Sequence, residues 1–372
     1  MKFIHTADWQ IGMKAVHVGQ AAETVREERL KAIERIVKIS KDKKAEFILV
    51  AGDTFEDNAV SSLLVQRVAD ILAKADVPIF MIPGNHDPLV PGSVWEHPAW
   101  EKCKNVRILR EESPVEIPGG ILYPCPVKEK YSRKDPTAWI PPDKEIEGIR
   151  IGMAHGTVEG VQQEEMDYPI PRDAATRAGL DYLALGHWHS MTLYEDGDGA
   201  NRMAYSGTHE TTRFGERDSG NILIVEISEK GAAPRITSIH TSDLFWRTVE
   251  YEIKEPGYLP ELRERIEDFD YSERILLNVK LSGLLYAGEV EEIKRIEDIL
   301  ASRFLFGKLD LSSLMPAPQD DSWINTLPAG IIRETGSRLK GLCDAHKPAQ
   351  VSPEVAARAL IELYMLASGI SR

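Results

Sequence analysis

Short apolar runs that break into polar residues recur along the first half of the chain, and the stretches between the first three have helical spacing. KFIHTAD (2–8) reads as a first strand with Asp8 at its carboxyl tip. Over 22–43 a charged stretch places Val25, Leu30, Ile33 and Ile36 or Val37 on one side, the period of an amphipathic helix. FILVAGD (47–53) is apolar almost throughout, as expected of a strand covered on both faces, and ends in Asp53. A second helix is expected near 60–75, with Val60, Leu63, Leu64, Val68, Ile71 and Leu72 toward the core. VPIFMIPGNHD (77–87) follows as a third strand opening into a polar loop. The order β-α-β-α-β predicts a layered α/β sheet.

From 88 to 145 prolines punctuate short runs, and the pattern predicts surface loops and insertions. IRIGMAHG (149–156) and YLALGHWHS (182–190) restore the strand-then-histidine arrangement with His155, His187 and His189. RMAYSGT (202–208) and NILIVEI (221–227) read as further strands, with DGDG (196–199) as a hairpin turn. The first domain is expected to span 1–240. A second pattern starts at WRTVEYEI (246–253), where Val249, Tyr251 and Ile253 alternate with polar neighbours. A helix near 259–269, a strand over 275–285, a helix over 288–304 with Val290, Ile293, Ile296, Leu300 and Phe304, and the run GKLDLSS complete a small β-α-β-α-β unit, placed at 243–315. Beyond Pro316 and Pro318 the chain turns helical, giving a tail over 316–372 in which Ser352-Pro353 suits an N-cap and first helical position. The last helix carries Ala356, Ala359, Leu360, Leu363, Leu366 and Ala367 as one stripe, suited to packing on its own domain or to docking a partner helix.

Composition narrows the class. A chain of 372 residues exceeds what one hydrophobic core serves, in keeping with more than one domain. The net charge of −14 is spread over both parts, with 37 acidic against 29 basic residues in 1–240 and 22 against 16 beyond. That balance counts against binding nucleic acid through bulk charge, although a site holding two divalent cations supplies its own positive field. No apolar run approaches the roughly 18 residues that span a bilayer, and MKFIHTADWQ does not read as a signal peptide. Cys103, Cys125 and Cys343 are widely spaced with no C-x-x-C, so a reduced, cytoplasmic protein without a membrane partner is expected.

Asp8, Asp53, Asn85, His155, His187 and His189 all fall at or just after the ends of apolar runs. In an open α/β sheet the loops leaving the carboxyl ends of strands converge on one rim, where ligands bind. His187 and His189, two residues apart at a strand end, project to the same side. Asp8 alone also suits a strand-end turn, and any one histidine suits an ordinary core or surface position. As a set, six O and N donors suit borderline divalent ions such as manganese, iron or zinc better than magnesium, since imidazole is a poor magnesium ligand. Two such ions about 3.5–4 Å apart clamp a phosphoryl group, so phosphoester hydrolysis is the expected reaction.

HTAD, AGD, PGNHD, AHG, LGHWH and YSGTHETTRFGE, in this order, resemble the calcineurin-like metallophosphoesterases, and the whole chain resembles the SbcD-type DNA repair nucleases within them. The resemblance implies a layered metallophosphoesterase β-sandwich flanked by helices, with a small α+β capping domain that positions DNA and a helical tail that binds an SbcC-like coiled-coil ATPase. It also implies a homodimer and two divalent ions, Mn2+ foremost. Asp8 and His189 would hold the first ion, Asp53 would bridge, and Asn85, His155 and His187 would hold the second. His86 would be the catalytic histidine, with Asp87 orienting its ring. The chain has no G-x-x-x-x-G-K-[ST] sequence, so ATP use would belong to the partner.

Where that family reads Asp-x-His after the first strand, this chain reads Asp8-Trp9-Gln10. An amide oxygen is a weaker donor than imidazole to such metals, so the first site is expected to be looser, with His209 as an alternative donor against an ordinary loop histidine. His5 reads as a structural strand residue, and Trp9 and Trp188 as site walls or packing. Lys128, Lys130, Tyr131, Arg133 and Lys134 form a run that reads first as a solvated loop and, as the alternative, as a phosphate-contacting and base-stacking segment. Beside a nuclease stand two further readings: a phosphodiesterase or phosphatase acting on small nucleotides or phosphoproteins, and a weakened nuclease fold retained as a scaffold in an ATPase complex.

Overall fold

The computed structural model describes residues 1–142, 148–160, 167–195, 197, 199–286, 289–316, 322–327, 329–343 and 351–367. The chain divides into two compact units, Met1–Leu244 and Phe245–Arg372. Among the described residues no helix is long and apolar enough to cross a membrane.

The first unit holds two six-stranded sheets. One is built from β1 (Lys2–Thr6), β2 (Phe47–Ala51), β3 (Ile79–Ile82), β4 (Val106–Ile108), β11 (Asn221–Glu226) and β12 (Arg235–His240), in the order β12-β11-β1-β2-β3-β4. The other takes β5 (Val115–Ile117), β6 (Gly120–Pro124), β7 (Ile149–His155), β8 (Tyr182–Gly186), β9 (Thr192–Glu195) and β10 (Asn201–Tyr205), in the order β5-β6-β7-β8-β10-β9. Strands β1 to β4 run parallel, as do β6, β7, β8 and β10.

Alternation explains why the runs are apolar on both sides. Phe3, Phe47, Leu49 and Phe80 face Leu122, Ile151, Met153 and Tyr182 between the sheets. Their neighbours Ile4, Ile48, Val50 and Met81 turn to the outer layer of α1 (Ala22–Asp42) and α2 (Ser62–Leu72), which supply Ile33, Ile36, Val65 and Val68. Ala154, Leu183 and Leu185 pack outward from the second sheet beside α4 (Ala174–Arg177). The result is a mixed α/β layered fold.

Three expectations change. Leu63 is 72% exposed, because the buried arc of α2 runs through Val65, Val68, Ala69 and Leu72 and leaves position 63 on the opposite side. The stretch 88–145 is not only loop: it carries β4, β5, β6 and α3 (Ala99–Lys102), with Trp95 and Trp100 buried. Strands of three to five residues between prolines are too short to show a period. The edge strand β12 had no sequence reading at all. The turn at 196–199 falls partly outside the described residues, as do Pro318 and the side chain of Val290, although β9 and β10 pair antiparallel on either side of that turn.

In the second unit β13 (Phe245–Ile253), β14 (Ile275–Leu285) and β15 (Phe306–Pro316) form a parallel sheet, joined by α5 (Tyr258–Glu267) and α6 (Val290–Arg303). Leu277, Val279 and Leu281 meet Leu262, Ile266, Ile293, Ile296 and Leu300 in its core. α7 (Ser322–Thr326) and α9 (Pro353–Ala367) add Trp323, Ile324, Leu360 and Tyr364 to the same cluster, while α8 (Ile331–Cys343) packs Leu339 and Cys343 against it. The helical tail thus shares one core with the sheet, and Leu366 of the α9 stripe is exposed.

Candidate metal centre

Parallel strands put their carboxyl ends on one rim, and five of them contribute a donor at or just beyond the last residue. Asp8 follows β1, Asp53 follows β2, Asn85 follows β3, His155 ends β7 and His187 follows β8. Four of the site residues hold left-handed backbone: Asp8 at φ 54°, Gln10 at 42°, Asp53 at 49° and His187 at 107°. Such conformations cost roughly 1–3 kcal/mol each and persist where the surroundings fix them. Two glycines make room. A Cβ on Gly52 would stand 2.3 Å from His155 Nδ1, and one on Gly84 would stand 2.1 Å from Asp53 Oδ1.

Asp8, Asp53 and His155 are buried, with one ligand atom from each lying within 4.8 Å of the others. The Asp8 carboxylate takes the His187 backbone N–H at 3.0 and 3.1 Å. His155 Nδ1 donates to the Ala51 carbonyl at 2.9 Å, which leaves Nε2 facing Asn85 Oδ1 at 2.8 Å and Asp53 Oδ2 at 3.4 Å. An imidazole lone pair against two oxygen acceptors is repulsive unless the ring is protonated or a cation stands among them. His187 Nδ1 meets the same Asn85 oxygen at 3.0 Å.

The charges respond to the same crowding. Burial works to lower the His155 pKa, yet Asp53 and Asp8 outweigh it and raise it to about 9. Burial works to raise Asp53, but His155 and His86 hold it well below the usual carboxylate range. Burial lifts Asp8 to about 6 against the pull of His155 and His189. His187 is pushed down to about 3 by burial and by His155. Carboxylate oxygens and imidazole nitrogens converging in one buried place are the donor set of a divalent ion of borderline softness, so the residues present fit such an ion.

His189 sits to one side. Its Nδ1 lies 2.9 Å from Glu216 Oε1, and Glu216 is held in turn by the hydroxyl and the backbone N–H of Thr212. Burial works to lower His189, while Glu216 and Asp8 together raise it. Its other nitrogen, Nε2, is 3.1 Å from the Gln10 amide nitrogen. Glu216 was not among the expected site residues, although it closes the FGE run.

His86 is half-buried. Its backbone N–H donates to Asp53 Oδ1 at 2.9 Å and its Nδ1 to the Glu56 carbonyl at 3.0 Å. The expected role of Asp87 is corrected here: its two oxygens accept the backbone N–H groups of Gly84 (2.7 Å) and Phe55 (2.9 Å), so it shapes the loop while Glu56 orients the ring. Burial, with Asp53 nearby, raises Asp87 to about 8.

Residues 1–191, about half of the chain, match the family model described as calcineurin-like phosphoesterase. The chain belongs to the calcineurin-like phosphoesterases. Members of this family are metallophosphoesterases, and the buried aspartates and histidines are this phosphoesterase's candidate site for divalent ions. It is 22% identical over 287 residues to the uncharacterized metallophosphoesterase YhaO of Bacillus subtilis, spanning 72% of this chain and 67% of that protein. Two solved structures are similar at 12% identity. TT1561 of Thermus thermophilus has a TM-score of 0.41 and coverage of 64% of this chain and 98% of its own. Vps29 of Entamoeba histolytica, complexed with Zn2+, has a TM-score of 0.31 and coverage of 65% and 99%. Neither likeness adds to the family assignment.

Other expected residues of the phosphoesterase find structural places. His5 bonds Tyr182 Oη at 2.9 Å and the Leu185 carbonyl at 3.1 Å. His209 is fully buried with Nε2 on the Arg29 carbonyl at 2.8 Å, and the Trp9 indole is buried with its N–H on Thr6. Trp188 packs partly buried on the second sheet's outer cluster. Lys128, Lys130, Tyr131, Arg133 and Lys134 are exposed, with Lys128 paired to Glu111 at 3.0 Å. One residue that the sequence reading missed is Arg29 of α1. Fully buried, it donates to the carbonyls of Asp8, Trp9 and Glu210 and so fixes the loop that carries Asp8 and Gln10. Its signal was its position, in register with Val25, Ile33 and Ile36 on the apolar stripe.

Proposed function

We propose that this phosphoesterase is a metal-dependent DNA nuclease of the SbcD type, acting with an SbcC-like coiled-coil ATPase and as a homodimer. Phosphodiester cleavage rests above all on one observation: His86 stands beside the buried donor cluster with its Nδ1 proton committed to the Glu56 carbonyl. Its Nε2 is therefore the ring nitrogen left to exchange a proton with a phosphoester oxygen. Asp53 ties the two together, lending one oxygen to the His86 backbone and the other toward His155.

In the binding order implied by the sequence, Asp8, Gln10 and His189 would hold one ion, Asn85, His155 and His187 the other, and Asp53 both. Ions bound there would supply Lewis acidity, lowering the pKa of water and neutralising charge on the phosphoryl oxygens. Imidazole-rich donors favour manganese, iron or zinc over magnesium, and manganese is the ion proposed. DNA as substrate is supported by the run of motifs through FGE and by the parallel three-stranded unit that follows, which a phosphoesterase for small nucleotides would not require.

The test is cleavage of labelled single- and double-stranded DNA with Mn2+, beside a small phosphodiester, in the wild-type chain and in His86→Ala. The expected result is DNA cleavage that falls about 10²–10⁴-fold in the variant, the usual size of a lost general acid–base group. Turnover of the small diester alone would sink the nuclease reading. No turnover of either would leave a scaffold in an ATPase complex.

A further inference from the structure

The exposed run at 128–134 is tied to two of the segments that carry the centre's side chains, the loop after β3 and the end of β7. Cys125 N–H donates to the carbonyl of Met153 (2.8 Å) on β7, the strand that ends in His155. Val127 N–H donates to the Pro83 carbonyl (3.3 Å) and its own carbonyl accepts Leu89 N–H (2.8 Å), so it brackets the loop bearing Asn85 and His86. Further along, Tyr168 N–H donates to the Ser132 carbonyl at 2.8 Å and Tyr168 Oη to the Glu129 carbonyl at 2.7 Å. Ser132 N–H donates to Asp167 Oδ1 at 2.8 Å. Asp167 and Tyr168 are themselves held by Thr157, two residues beyond His155, whose N–H reaches both their carbonyls at 3.0 and 3.2 Å. Gly156 permits this approach: a Cβ there would stand 2.2 Å from the Tyr168 carbonyl.

What rides on this fixed backbone is cationic and aromatic. Lys128, Lys130, Arg133 and Lys134 oppose one carboxylate within the run, Glu129, in a chain whose net charge is −14. Tyr131 is 66% exposed, and Lys130 Nζ lies 5.6 Å from its ring centroid. An aromatic ring held in water beside cations is the arrangement that stacks a base while its neighbours follow the phosphates.

We propose that 128–134 is a docking rim for single-stranded nucleic acid entering the metal centre. Tyr131 is the base platform, Lys130, Arg133 and Lys134 are the phosphate contacts, and Asp167 and Tyr168 are positioning residues. The proposal rests on the nuclease reading for its substrate.

The probe is a fluorescent oligothymidylate titrated by anisotropy onto the full chain in EDTA, with cleavage in Mn2+ measured separately. Tyr131→Ala is expected to weaken binding about tenfold, the size of one lost base stack, and Tyr131→Phe to restore it. Arg133→Ala and Lys134→Ala each lower the salt dependence by about 0.7 in log–log slope if they contact a phosphate. Asp167→Ala, with its melting temperature checked beside it, lowers affinity through the released loop. Wild-type affinity in Tyr131→Ala and in the Arg133 and Lys134 variants, or no binding by the wild type, overturns the rim. Binding that follows these expectations without cleavage overturns the nuclease reading and leaves the rim standing. Cleavage at wild-type KM in the rim variants does the reverse.

Discussion

Gln10 is where this phosphoesterase departs from its own donor pattern, and its neighbour shows the consequence. With the His189 Nδ1 side turned to Glu216, Nε2 carries the lone pair that a first ion needs, and the Gln10 amide nitrogen lies against it at 3.1 Å. To admit an ion, Gln10 must give up that hydrogen bond, worth about 0.5–1.5 kcal/mol, and turn its oxygen inward. At the other site His155 Nε2 and His187 Nδ1 both already face the Asn85 oxygen, so its ligand atoms converge without an amide nitrogen turned against them. Titration of the wild-type chain with Mn2+ by calorimetry is therefore expected to show two unequal sites, the weaker about 2–13-fold below the stronger, since 1.4 kcal/mol is a factor of ten. Gln10→His should narrow the gap, and Glu216→Ala should weaken the weaker site a further 10–100-fold, as loss of a group that orients a ligand does. Two equally tight sites in the wild type would refute this account of Gln10.

Among the elements, α1 does more than cover the first sheet. Arg29 reaches from its buried stripe to the carbonyls of Asp8, Trp9 and Glu210. Arg29→Met keeps most of the volume but strands these carbonyls, at about 1–3 kcal/mol for each that stays unsatisfied. The variant is expected to melt lower by an amount matching a loss of about 3 kcal/mol and to bind the ion at Asp8 more weakly, while Lys38→Met on the exposed side of the helix costs far less. An unchanged melting temperature would argue against the staple. Elements also set how much could be read from the sequence. The donors were legible because a parallel strand covered on both faces is a bare apolar run, so the first polar residue after it marks the rim. Asp8, Asp53, Asn85, His155 and His187 were found that way. Arg29 was not, since a charged residue inside a helix is counted as solvent-facing unless its register is checked against the stripe. Asp87 was misassigned because spacing along a loop does not say whether a carboxylate turns to a ring or to backbone N–H groups. The short strands of 88–145 were lost for want of length, and β12, half-exposed along an edge, for want of apolar contrast.

For the molecule as a whole, the two sheets of the first unit are joined through a histidine whose charged form is disfavoured by burial. His5 on β1 bonds Tyr182 and the Leu185 carbonyl on β8, and burial lowers its pKa from the ordinary 6.5 to about 3, despite the raising effect of Leu185. The folded chain therefore refuses a proton that the unfolded chain accepts. Stability from this group is full above pH 6.5 and is lost as pH falls from 6.5 toward 3, at up to about 1.4 kcal/mol per pH unit. His209 shifts in the same direction, again through burial. Glu210 acts with the opposite sign. Burial raises its pKa from 4.5 to about 7, so its contribution is full below pH 4.5 and is lost as pH rises toward 7. Urea unfolding in EDTA between pH 4.5 and 6.5 is thus expected to sum opposing contributions, with His5, His209 and His187 losing stability toward acid while Glu210, Asp87 and Asp8 regain it. His5→Phe should lower the slope of stability against pH by about 1.4 kcal/mol per pH unit, and Glu210→Gln should raise it by a similar amount. The slope is the informative quantity, because either substitution also changes packing and shifts the whole curve without altering its pH dependence. Parallel curves for wild type and His5→Phe would mean that the histidine is protonated in the folded chain, and that the join between the sheets tolerates a buried charge.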